Sequence, residues 1–181
     1  EDDMNLNDRA LLVQLTISQW TARKYDKKAT QEVANQFNAA NTAGRYNKAL
    51  LPMNDYLDRV HKKTTFIRNK FLENTLPWGI EGTHMLPTSN YLNFMTEYRK
   101  ERDDWNVLVR DFLHNYDALK QAAAHSLGGL YSESDYPTAS ELQHKFNIDM
   151  AIFPVPATDF RVSIASEELS RIQAEVSQRV E

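Results

Sequence analysis

Apolar positions along the chain recur with two periods, and the switch between them marks out the elements. From Thr88 to about Ala124 there is neither Pro nor Gly, and Tyr91, Met95, Tyr98, Trp105, Val109, Phe112, Tyr116 and Leu119 follow a helical stripe. Leu92, Leu108 and Leu113 widen that stripe. The pattern predicts one long helix over about 88–124, roughly 50 Å in length at 1.5 Å per residue, with Thr88 or Ser89 as its N-cap. A second helix is predicted from about Met53 to Asn74, with Leu57, Val60, Thr64, Ile67 and Phe71 facing inward. A third covers Ala29 to Ala40, with Val33, Phe37 and Ala40 inward and Gly44 as the stop.

Period-2 alternation takes over in Leu11–Trp20, where Val13, Leu15 and Ile17 alternate with Gln14, Thr16 and Ser18. It returns at Phe160, Val162 and Ile164. Both stretches read as half-buried strands, with a helix over Ala10–Leu15 as the competing reading of the first, and pairing the two strands would tie the ends of the domain together. A two-stranded ribbon is marginal alone and has to pack on helices. Pro77, Gly79, Gly82 and Pro87 make Leu76–Pro87 a hairpin-like loop. Thr21–Lys28 reads as a basic turn, Arg45–Leu51 as a short turn, and Leu130–Pro137 as a polar loop. Thr138 or Ser140 can cap a short helix through Phe146, with Glu141 as the capping-box acid relative to Thr138. Ala151–Asp159 reads as an extended connector. Ser166 opens a last helix in which Leu169, Ile172, Val176 and Val180 form a narrow seam. The predicted class is mainly α, within α+β: a helical domain over 1–165 with a small two-stranded β element, followed by a C-terminal helix over 166–181.

Composition narrows the functions. A chain of 181 residues is long enough for a real core. The absence of cysteine removes disulfides, thiol nucleophiles and cysteine-ligated metals, in keeping with a reducing, cytoplasmic setting. No apolar run approaches the roughly 18 residues of a membrane span. Charge is unevenly placed. From Trp20 to Thr75 eleven Lys and Arg face five Asp and Glu, a local balance of +6 in a chain whose net charge is −4. Segregation of this kind points to an anionic partner for one face.

The same stretch interleaves cations with aromatic rings. Trp20, Arg23, Lys24, Tyr25, Lys27 and Lys28 fall within nine residues, and Arg59, Lys62, Lys63, Phe66 and Lys70 share the outer face of the 53–74 helix. Single-strand recognition requires cations for phosphates and flat side chains for unpaired bases. The alternative is that Trp20, Tyr25 and Phe66 belong to the core and the cations form a solvated rim. Two carboxylate-x-x-His patterns, Asp111 with His114 and Glu141 with His144, match the ligand spacing of di-iron bundles. Asp111 and His114 fall about 100° and 160° from the Phe112 stripe, toward solvent, and Glu141 already has a capping use. Glu97, Glu101 and Asp104 alternate with Arg99, Lys100 and Arg102 as on an ordinary exposed face. His61, His84 and His125 have no visible Ser or Asp partner, and no phosphate-loop, dinucleotide or zincin motif is present. Neither a cofactor nor a metal is implied.

Ile17-Ser18-Gln19-Trp20-Thr21-Ala22-Arg23-Lys24, Leu76-Pro77-Trp78-Gly79 with Gly82, Tyr136-Pro137 and Phe153-Pro154 together resemble a phage and bacterial family of unknown function. Members of that family are often encoded beside MoxR-type ATPases and von Willebrand-type partners, which implies an accessory role. Helical class, segregated basic and aromatic residues and a C-terminal assembly helix also resemble the single-stranded-DNA-binding RNA polymerase cofactor of N4-like phages. The expectation is a non-enzymatic single-stranded DNA-binding protein of a bacterial virus, acting in transcription or replication in the host cytoplasm. Leu169, Ile172, Val176 and Val180 either cover the domain's own core or make it a homo-oligomer through a helix continuing past Glu181 into a coil or an acidic tail. The alternatives are an adaptor for a MoxR-type ATPase or, third, a helical di-metal enzyme.

Overall fold

A computed structural model describes residues 6–52 and 54–156. The class is mixed α and β, with five α-helices and six strands among the described residues. The strand expected at 160–164, the helix expected from Ser166 and its seam of Leu169, Ile172, Val176 and Val180 lie outside the described residues. The chain divides into two compact units. Unit 1 draws on residues up to Ile17, Thr64–Asp103, and residues from Ile148 onward; unit 2 comprises Ser18–Lys63 and Asp104–Asn147. Two helices, α3 (Asp55–Asn74) and α4 (Tyr91–Leu127), contribute residues to both. Neither contains Pro or Gly, so nothing in their sequences interrupts the backbone ladder.

Unit 1 is built on a four-stranded sheet in the order β4 (Leu76–Pro77), β5 (Thr83–Pro87), β1 (Ala10–Ser18), β6 (Asn147–Pro154). A one-turn helix, α1 (Leu6–Arg9), precedes β1. Strand β1 pairs antiparallel with β5, from Ala10 opposite Pro87 to Gln14 opposite Thr83, and Gln14 Nε2 donates to Thr83 Oγ1 at 2.6 Å. Leu12 and Val13 are both buried, so the start of β1 is covered on both faces. Thr16 and Ser18 are exposed, as alternation requires. The expected loop at 76–87 is the β4–β5 hairpin, paired antiparallel and turned at Gly82, whose φ of 78° suits glycine.

Strand β6 corrects the sequence reading, which placed a helix through Phe146 and a connector from Ala151. Ile148, Met150 and Ile152 are half-buried while Asn147 and Asp149 are exposed, an alternation hidden by the adjoining apolar run Ala151–Phe153. The strand beside β1 on this side is β6 itself, a segment the sequence reading did not take as a strand.

Unit 2 contains α2 (Lys27–Gln36), α5 (Ala139–Gln143) and a ribbon of β2 (Arg23–Tyr25) paired antiparallel with β3 (Asn47–Ala49). The ribbon replaces the two turns expected there. Trp105, Phe112 and Tyr116 of α4 are almost fully buried, and Phe146 packs 6.2 Å from Trp105 and 5.8 Å from Phe112 between ring centroids. Tyr116 donates to the Pro137 carbonyl at 2.7 Å and Tyr136 to that of Leu50 at 2.6 Å. These bonds satisfy the two hydroxyls inside an otherwise apolar core.

The long helix begins at Tyr91 after a 3-10 turn at Thr88–Asn90 and ends before Gly128, at φ 51°. Thr88 and Ser89 therefore lie within the turn and neither is the expected cap. Its stripe is buried or half-buried as predicted, except Leu92, which is 76 % exposed. At 100° per residue Leu92 lies about 160° from Phe112, whereas the overlooked Phe94 lies in phase and is buried. Helix α2 departs further. Val33 and Phe37 are exposed, at 47 % and 72 %, and Ala40 is exposed, while Thr30 and Ala34 are buried. The face turns because Thr30 Oγ1 donates to the Asp26 carbonyl at 2.7 Å and accepts from Tyr46 N at 2.9 Å. Asn38, in the left-handed region at φ 52°, follows its end, well before Gly44.

Candidate nucleic-acid interface

The expected nucleic-acid residues divide between the units. Trp20, Arg23, Lys24, Tyr25, Lys27, Lys28, Arg59, Lys62 and Lys63 belong to unit 2; Phe66 and Lys70 belong to unit 1.

In unit 2 all three residues of β2 are exposed. Tyr25 has one ring face taken by the Arg45 guanidinium, 4.5 Å from the centroid. Lys27 and Lys28 are exposed in the first turn of α2. Beneath this strip lies a buried charge cluster that the sequence did not reveal. Lys48, 7 % exposed, lies 2.6 Å from Asp135 Oδ2 and 3.3 Å from Asp26 Oδ2, and donates to the Leu130 carbonyl at 2.8 Å. Lys24 reaches the other oxygen of Asp135 at 3.2 Å. Asp26 also caps α2, its Oδ1 accepting from Ala29 N at 2.9 Å.

Electrostatics follow from that geometry. The Ala29 amide, with help from Lys48, holds Asp26 below the usual carboxylate range. Burial alone would raise Asp135, but the bonds from Lys48 and Lys24 prevail and lower it. Asp135, then Asp26, raises Lys48 against the opposing effect of burial. Asp26, Asp135 and Lys48 therefore keep their charges near neutral pH. Asp26 and Asp135 are spent on this cluster, whereas Arg23, Lys27, Lys28 and Arg45 stand outside it on the surface.

Other residues have different employment. Trp20 is half-buried, its ring 6.2 Å from Phe112 and 6.0 Å from Tyr116, and its carbonyl accepts from His61 Nε2 at 2.9 Å. The indole thus belongs to the aromatic core of unit 2, contrary to its expected role as a stacking platform. On α3, Arg59 lies 5.7 Å from the Tyr56 ring centroid, Lys62 is exposed, and Lys63 approaches Asp104 at 4.0 Å. In unit 1, Phe66 is 43 % exposed, with the Lys70 ammonium 5.7 Å from its centroid and 3.2 Å from Glu73.

The carboxylate–histidine patterns are placed apart from any shared interior. Asp111 and His114 are exposed on α4, as is His144. Glu141 closes the capping box with Thr138, its carboxylate accepting from Thr138 N at 2.9 Å while Thr138 Oγ1 accepts from Glu141 N at 3.2 Å. Among the described residues no group of three His, Cys, Asp or Glu is placed to hold a metal ion. His84 packs 4.7 Å from the Phe71 ring and 3.1 Å from Thr75 Oγ1, and burial lowers its pKa. His125 is exposed near the end of α4. No described helix is long and apolar enough to cross a membrane. No protein-family model, curated protein or solved structure matches the chain.

Proposed function

We propose that the chain is a non-enzymatic single-stranded DNA-binding protein whose strand-binding face is the exposed strip of unit 2. The observation that carries this reading is β2. Its exposed Arg23, Lys24 and Tyr25 stand beside Arg45, while the neighbouring carboxylates Asp26 and Asp135 are drawn into the Lys48 cluster, Asp135 pairing with Lys24 as well. An exposed ring backed by a guanidinium offers its remaining face to an unpaired base, and the surrounding cations offer charge to phosphates. The site is accordingly Arg23, Lys24, Tyr25, Lys27, Lys28 and Arg45, without Trp20. A role in transcription or replication of a bacterial virus rests on the sequence resemblance alone.

Substitution tests the placement. Arg23→Glu with Lys27→Glu and Lys28→Glu should weaken binding of a labelled single strand at low salt and flatten its salt dependence. For single strands each phosphate contact contributes about 0.7 to the log–log slope, so three lost contacts should reduce it by about 2. Tyr25→Ala should weaken binding by about 1–3 kcal/mol, the usual worth of one stacked base. Unchanged affinity in both variants, with folding preserved, would remove the strand from this face.

A further inference from the structure

Unit 1 holds a cleft that the unit 2 face does not use. It lies where the second part of α3 faces the first part of α4, with Met150 of β6 also lining it, and its volume is about 220 Å³. Its walls are aromatic: Phe66 at the rim, with Phe71, Phe94 and Tyr98 deeper. Such walls select for a flat ring, and a cavity of about 150 Å³ already admits benzene, leaving room here for a substituted heterocycle.

The polar lining is more selective. Asn74 donates one of its two amide N–H groups to the Lys70 carbonyl at 2.7 Å, which leaves one donor and the side-chain oxygen. Glu97 and Glu101 also line the cleft, and ionised carboxylates only accept. Lys70 and Lys100 are the two cations of the lining. Acceptors beside aromatic walls match a base with an exocyclic amine, the group that a carboxylate reads on cytosine. Lysines in the same lining match the attached phosphate.

We propose that this cleft is a nucleotide subsite that takes one unpaired base bearing an exocyclic amine, cytosine, adenine or guanine in preference to thymine. The identity of its ligand rests on the single-strand reading, but its test is independent of the unit 2 face. The full chain is labelled at its methionine methyls, Met150 is assigned with a Met150→Leu variant, and the protein is titrated with dCMP, dAMP, dTMP and deoxyribose 5-phosphate. The Met150 methyl should shift and saturate with dCMP and dAMP, respond less to dTMP and ignore deoxyribose phosphate. Phe66→Ala, at a half-exposed rim position, should weaken the dCMP response at least about five-fold, the lower end for loss of one stacking partner. Glu97→Gln should narrow the gap between dCMP and dTMP.

No Met150 response to any nucleotide, an equal response to deoxyribose phosphate, or indifference to Phe66→Ala would overturn the subsite. The Arg23→Glu, Lys27→Glu, Lys28→Glu protein separates the two claims. If it still binds long strands normally while Met150 responds to dCMP, the unit 2 face falls and the subsite stands. If it loses long strands and wild-type Met150 never responds, the subsite falls and the face stands.

Discussion

Lys48 shows how one side chain can decide what its neighbours are available to do. Its ammonium is buried among two carboxylates and a carbonyl, an arrangement that stabilises only while every partner is present. Lys48→Met should destabilise the protein by about 3 kcal/mol, the lower end for a broken buried pair, because Asp26 would lose its cation while Asp135 would keep Lys24 alone. Urea unfolding at pH 7 measures it, and a change under about 1 kcal/mol would contradict the geometry. The pH dependence has a definite sign. Asp26 and Asp135 have folded pKa values below their unfolded ones, so their contribution is present above the unfolded value of about 3.9 and is lost as pH falls through the folded values. The raised pKa of Lys48 contributes below its unfolded value and fades as pH rises through the folded one. Wild type should therefore weaken in acid more steeply than Lys48→Met, in which protonation relieves carboxylates that have lost Lys48. Equal acid limbs in urea titrations at several pH values would count against the cluster.

Among the elements, α4 and α3 were legible because packing and helical period agree over many turns. Trp105, Val109, Phe112 and Tyr116 are all buried where the stripe placed them, as are Leu57, Val60, Thr64, Ile67 and Phe71. Thr138 and Glu141 were legible as a capping box because that signature is local. Helix α2 was misread because it is short and its inner face is set by Thr30 bonding Asp26 and Tyr46, which no apolar count detects. The β2–β3 ribbon and the Lys48 cluster were hidden for a related reason: Asp26, Lys48 and Asp135 are far apart in sequence and come together only on folding. The burial differences on one helix make a direct comparison. Leu92→Lys, at a 76 % exposed position, should change stability by no more than about 0.5 kcal/mol. Phe112→Ala, at a fully buried one, should lose about 3–5 kcal/mol. Thermal and urea unfolding of both variants decides it, and similar losses would mean that the face of α4 is misplaced.

For the molecule as a whole, the charge segregation seen in sequence gains a physical meaning. The excess of cations between Trp20 and Thr75 is not uniformly exposed: Lys48 is internal, while Arg23, Lys27, Lys28 and Arg45 are at the surface of unit 2. Net charge of −4 then coexists with a local basic strip, which favours contact with an anion at one place over general adhesion to polyanions. Whether this strip holds single-stranded DNA is read by fluorescence anisotropy of a labelled strand across a salt series. Four phosphate contacts predict affinity falling with a log–log slope of about −3. A slope near zero, or no binding at micromolar protein in low salt, would contradict it.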